Sequence, residues 1–253
     1  MNIFKENFNY WKNKILFLII YTIFLIIIIV FFIKPREKIQ INNFDKIHHQ
    51  YSINEVKHIK ADLSSKLNQA NQLIAELECK IGNKASISNV CSSPKKQIKS
   101  DTMFAIALSE FLKNKQVASF GGEDSVFYKK TLDEMLHVLS YEAFDNFPLI
   151  ETNSNGLVKY LDFSIPFFHL NKYEWIISLG MSVEIPKPSE HIFINNLLTH
   201  ATEGIILNWP FDVKNQMESN GFVYDDVSSQ LLRKKTDLKA LISNLTVFRK
   251  NQI

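Results

Sequence analysis

Apolar positions along the chain fall into three patterns. From Ile15 to Ile33 they form one run that carries no charge. From Ile53 to Ile81 a periodicity appears: Val56, Lys60, Leu63, Leu67, Ala70, Ile74, Leu77 and Ile81 step by alternating four and three. Beyond Asp101, short apolar runs alternate with amphipathic stretches. The first pattern matches a membrane-spanning helix, which needs about 20 residues. It is longer and bulkier than the apolar region of a cleaved signal peptide. The second is the a/d spacing of a coiled coil with one lysine intruding. It predicts either a dimerising stem or an amphipathic helix lying against the domain. The third is the strand and helix alternation of a parallel α/β sheet.

These patterns divide the chain into a tail (1–14), a transmembrane signal anchor (15–33), a stem (34–99) and an α/β domain (100–253). The stem holds the helical stretch 53–81 and a linker of Gly, Asn, Ser, Pro and Lys after it. In the domain, Asp101 caps a helix through Lys113. Strands are predicted over 116–120, 138–144, 157–163, 174–179, 205–209, 222–224 and 244–249. Helices are predicted over 125–136, 189–200, 212–220 and 227–235.

At 253 residues the chain is long enough for one such domain with a good core. A net charge of +3 gives no sign of general nucleic-acid binding. Lys5, Lys12 and Lys14 precede the apolar run, and Lys34, Arg36 and Lys38 follow it. The positive-inside rule is therefore nearly balanced. The short N-terminal tail favours a type II arrangement, with the domain lumenal or extracellular. In such a compartment Cys79 and Cys91 could close a small loop; in the cytosol they would be free thiols.

The segment from Tyr173 to Lys250 carries YEWIISLGMSVEIP, HIFINNLLTHATEGIILNWP, NGFVYDD and LTVFRK. It resembles the C-terminal half of a class I, S-adenosylmethionine-dependent methyltransferase-like family. That family's strands read roughly D/E-W-I-x-S-L-E-V-x-E-H-I-P and E-G-I-x-L-S-W. The match covers most of Gln116 to Lys250. It implies a Rossmann-like, mostly parallel sheet with an antiparallel last strand, and S-adenosylmethionine as cofactor.

Cofactor chemistry in such a sheet sits at the carboxyl ends of the strands. The turn after the first predicted strand contains Gly121 and Gly122, followed by Glu123 and Asp124 where the family has further glycines. It is either a cofactor turn or an ordinary tight turn. The second strand ends in two acids, Glu142 and Asp145, and the resemblance places the ribose-binding acid at Asp145. The third, GLVKYLDFS, matches G-x-V-x-x-L-D-L-S. There the resemblance sets Asp162 and Phe163 beside the adenine; the plain alternative for Asp162 is a turn cap.

The acceptor side departs from the family. Gly180 stands where an acid is expected, Val183 and Glu184 stand for the Glu-His pair, and the loop after Trp209 is shorter. Glu184, His200 and Asn208 are the polar groups left near the strand ends. His200 fits a helix C-terminus, where a cation suits the dipole, and His191 fits a solvent-facing position. No catalytic residue is assigned. The leading expectation is a membrane-anchored methyltransferase-like protein of unknown acceptor and reduced activity. The alternative is a catalytically inactive binding or scaffold module of the same fold. A glycosyltransferase-like type II enzyme ranks below both, since its Asp-x-Asp metal motif is absent.

Overall fold

A computed structural model of the chain describes residues 53–82, 101–121, 125–135, 137–209 and 213–251. The proposed membrane run, residues 15–33, lies outside them. Among the described residues no helix is long and apolar enough to cross a membrane.

The elements, in chain order, are α1 (Ile53–Gly82), α2 (Thr102–Phe111), β1 (Gln116–Phe120), α3 (Ser125–Met135), β2 (Ser140–Asp145), α4 (Ile150–Asn153), β3 (Lys159–Tyr160) and β4 (Tyr173–Ser178). Then come α5 (Glu190–His200), β5 (Ala201–Asn208), α6 (Lys214–Ser219), β6 (Phe222–Tyr224), α7 (Asp226–Arg233), α8 (Lys239–Asn244) and β7 (Leu245–Lys250). One seven-stranded sheet runs β3-β2-β1-β4-β5-β7-β6. Strands β1 to β5 pair in parallel, and β7 enters antiparallel between β5 and β6. The order reverses between β1 and β4. An open α/β sheet has its ligand crevice at such a switch point, outside the carboxyl ends of the strands.

Local sequence explains most of these elements. The strands are runs of Val, Ile, Phe and Tyr buried on both faces, as parallel strands require. Asp101 accepts from the Phe104 amide and starts α2 as a cap. Gly204 on β5 sits opposite Trp175 on β4, and a Cβ there would lie 2.3 Å from the indole ring. That close approach explains the glycine in the Glu-Gly-Ile motif.

The largest differences from the sequence expectation are at β3, β5 and α8, and the one-turn α4 was not expected either. β3 shrinks to two residues, because only Lys159 and Tyr160 pair with β2. β5 starts at Ala201, so that α5 runs straight into it. Helix α8, whose Leu241 alone is buried, shows too little periodicity to be seen in the sequence.

Side chains fill both faces of the sheet. One face holds Phe104, Leu108, Val117, Tyr128, Leu132 and Val247 under α2, α3 and α7. The other is aromatic. Phe120, fully buried, packs against Phe144, Phe163, Phe167 and Tyr173 at ring-centre distances of 5.8, 5.9, 5.4 and 6.5 Å. Such pairs stabilise by about 0.5–1.5 kcal/mol each beyond their buried area.

His200 lies inside this cluster, 4.9 Å from the Phe167 ring. Its Nδ1 donates to the Asn196 carbonyl over 2.8 Å. Burial holds its pKa below the ordinary 6.5. The expected cation on the helix dipole is thus a neutral core histidine. As pH falls, the unfolded chain takes up this proton first, so stability present above about pH 6.5 is lost below it. His169, lowered by burial too, acts in the same direction. The urea midpoint is expected to fall between about pH 7.5 and about pH 5.5, and His200→Phe to flatten that dependence.

Candidate functional site

The switch point, where an open α/β sheet places its ligand crevice, lies at the carboxyl ends of β1 and β4, with those of β2 and β3 alongside. β1 ends at Phe120 and is followed by Gly121, whose φ of 72° is the left-handed region open to glycine. Its amide still donates to the Phe144 carbonyl over 2.7 Å, so the β1–β2 ladder extends to the turn. Gly122, the second predicted glycine, lies outside the described residues.

Asp145 closes β2 and is 7 % exposed. One of its oxygens accepts from the Phe147 amide over 2.9 Å, and the other from the Ser125 hydroxyl over 3.2 Å. Burial raises its pKa, partly offset by these donors. Asp162 follows β3. Its Oδ1 accepts from both the amide and the hydroxyl of Ser164. Its Oδ2 accepts from Asn71 Nδ2 of α1 over 2.7 Å. The turn-cap role is therefore real, and a second donor arrives from a distant helix. Phe163 is fully buried against Phe120 and Phe193. It is a core ring in this conformation and not an open face.

Sequence reasoning missed two features here. The first is α1. Ser64, Asn68 and Asn71 lie on one helical face, and that face meets the domain. Asn68 donates to the Tyr160 carbonyl over 3.2 Å and accepts from the Asp162 amide over 2.9 Å. Ser64 accepts from the Phe168 amide and meets His169 Nδ1. Lys60 Nζ stands 3.7 Å from the centre of the Phe168 ring. This face is polar, so an apolar periodicity cannot mark it. A signal did exist, in the spacing of Ser64, Asn68 and Asn71 at one helical turn each. Farther along the helix, buried Cys79 is disulfide-bonded. Cys91, the chain's other cysteine, lies outside the described residues.

The second feature is Met181. Gly180, two residues past the end of β4, takes φ 82° and turns the chain. Met181 then falls on Gly121. A Cβ added to that glycine would lie 2.1 Å from the methionine sulfur. Met181 is fully buried, so it fills the concave space that the glycine opens. A glycine in place of the family's acid was the sequence signal. Nearby, the Ser178 hydroxyl at the end of β4 is buried without a hydrogen-bond partner. Alternation along β4 puts it on the same face as Ile176, toward the aromatic cluster.

On the acceptor side, Glu184 and His191 are exposed and Asn208 is buried in β5. Glu190 accepts from Trp209 Nε1 over 3.0 Å and pairs with Lys187. Among the described residues no three His, Cys, Asp or Glu side chains gather to hold a metal ion.

No family model matches the sequence, and no curated protein matches it. Solved structures do. A TehB-like SAM-dependent methyltransferase from Corynebacterium glutamicum aligns over 71 % of this chain and 99 % of its own, at 11 % identity and a TM-score of 0.44. Magnesium protoporphyrin IX methyltransferase from Synechocystis, with bound SAM, aligns over 72 % and 97 %, at 11 % identity and 0.40. The assignment itself rests on the strand order and the antiparallel β7. The fold is of the class I methyltransferase type. In this methyltransferase-like domain, Gly121, Asp145 and Asp162 stand at or just beyond the ends of three adjacent strands. Their polar groups are engaged by the chain itself.

Removing the Asn68 carboxamide strands a backbone amide and a carbonyl at the sheet edge. Asn68→Ala is expected to destabilise the protein by about 1–3 kcal/mol in chemical denaturation. Exposed Asp62→Ala on the same helix is expected to change stability by less than about 0.5 kcal/mol.

Proposed function

We propose that the chain is a membrane-tethered, S-adenosylmethionine-binding, methyltransferase-like protein whose cofactor crevice is shut by its own side chains in this conformation. The observation that carries the reading is the placement of Asp145 and Asp162 at the ends of β2 and β3, beside left-handed Gly121 at the switch point. The residue types fit an adenosine-bearing cofactor. Asp145 would accept from ribose hydroxyls, and Asp162 from an exocyclic amine. The cofactor, when bound, supplies an electrophilic methyl group. The chain offers position rather than acid–base power, because the acid and the acid–His pair of the family are replaced. Reduced activity follows from that loss.

Two parts of the chain must move before a cofactor enters. Asn71 offers Asp162 an amide N–H where a purine would offer its amine. Met181 occupies the hollow over Gly121. Both are movable: Asn71 belongs to a helix held largely by polar contacts, and methionine is the most adaptable of apolar side chains. The tether is residues 15–33, and the bonded Cys79 supports an oxidising, lumenal or extracellular setting for the domain.

A second reading is a non-catalytic binding module of the same fold. In that reading Met181 would stay on Gly121. Calorimetric titration of the full chain in detergent with S-adenosylmethionine separates the two. Weak binding is expected for the wild type. About tenfold tighter binding is expected for Asn71→Ala, since a hydrogen bond to a charged group contributes about 1.5–3 kcal/mol. Asp162→Ala is expected to abolish it while the chain stays folded. An absence of heat with the wild type, Asn71→Ala and Met181→Ala alike, at millimolar cofactor, would leave only the binding module.

A further inference from the structure

Helix α1 has two faces, and among the described residues one of them meets the domain. Ser64, Asn68 and Asn71 face the domain. On the far side, Ile59, Leu63, Leu67, Ile74, Leu77 and Ile81 are each 46–68 % exposed. We infer that this outward stripe is the seam of a homodimer, covered by the same helix of a second copy.

Three observations select that occupant. First, the repeat from Val56 to Ile81 alternates steps of four and three, the a/d spacing that a supercoiled partner helix follows. Second, it is long and continuous. The helix has 30 residues and so runs about 45 Å. With a width of about 10 Å the stripe projects roughly 400 Å², the size of the largest patch on a typical monomer, which is often a functional surface. Third, its flank carries pairs of mixed sign, Asp62 with Lys66 and Glu76 with Lys80. An anionic lipid surface would call for a basic flank. A neutral flank lets two identical helices approach without repulsion.

Docking on the domain does not compete with this seam. The carboxamides that hold Tyr160 and Asp162 lie on the other face, so a dimer forms with both domains in place. Lys60 is the one charged side chain in the repeat, and it leans on the Phe168 ring of its own domain. That contact draws its charge away from the seam.

The test is the mass of the full chain in detergent, by light scattering or sedimentation. The wild type is expected at twice the protomer mass, and Leu67→Glu with Ile74→Glu at the protomer mass. Both side chains are about half exposed, so the double variant is expected to keep the wild-type circular dichroism. Leu67→Cys is expected to form a covalent dimer on oxidation, and Asp62→Cys, off the seam, to form no covalent cross-link. A wild type of protomer mass overturns the proposal. So does a dimer that survives the double glutamate variant. A monomer that binds anionic vesicles through the stripe also overturns it, assigning the face to a bilayer instead.

Discussion

Two backbone groups at the edge of the sheet organise everything around the crevice: the carbonyl of Tyr160 and the amide of Asp162. An edge strand presents such groups in a row, and unpaired they cost stability or recruit another chain. Here a side chain answers both. Asn68 places its amide nitrogen on the carbonyl and its amide oxygen on the N–H, as a neighbouring strand would. β3 can therefore stop after two paired residues, and α1 acquires a fixed position along the edge. Asn71, less than one turn farther on, is then brought to the Asp162 carboxylate. The closure of the crevice at β3 follows from the capping of the edge.

The crevice is closed at its other end by a different kind of force. Gly121 leaves a hollow, and an empty hollow beside a core of phenylalanines would cost contact energy. Met181 fills it because Gly180 can adopt the left-handed turn that directs the chain there. An acid at position 180, as the family it resembles has, would be strained in that left-handed turn. One substitution thus removes a polar group of the acceptor side and supplies the geometry that plugs the cofactor side. Asp145, between the two closures, keeps the hydrogen bonds of a capping acid and stays buried.

The fold was legible because it is written in apolar runs. YEWIIS and GIILN announce two adjacent parallel strands, and the glycine between Glu203 and Ile205 is demanded by Trp175. The site was legible only as positions. Asp145 and Asp162 could be placed at strand ends from the sequence, but their partners could not. Ser125 lies 20 residues from Asp145 and Asn71 lies 91 from Asp162. Polar partners at such separations leave no periodic trace. His200 shows the same gap: the end of a helix was readable, while the ring of Phe167 that keeps it neutral was not.

The stem illustrates why a hydrophobic period and a docking face need not coincide. Burial of apolar surface normally decides which face of a helix turns inward. α1 turns inward a face of Ser, Asn and Ala because the surface it meets is not apolar. It is a strand edge and a carboxylate, whose unmet groups would cost more than exposed leucines. A hydrogen bond to a charged or buried group outweighs part of the burial gain. The apolar stripe is left for another surface. The helix that completes the sheet is thereby the same one that presents a seam, so any partner on the seam bears on the element that closes the crevice. In this chain the edge of the sheet, the state of the site and the outward face of the stem are consequences of one carboxamide in the right register.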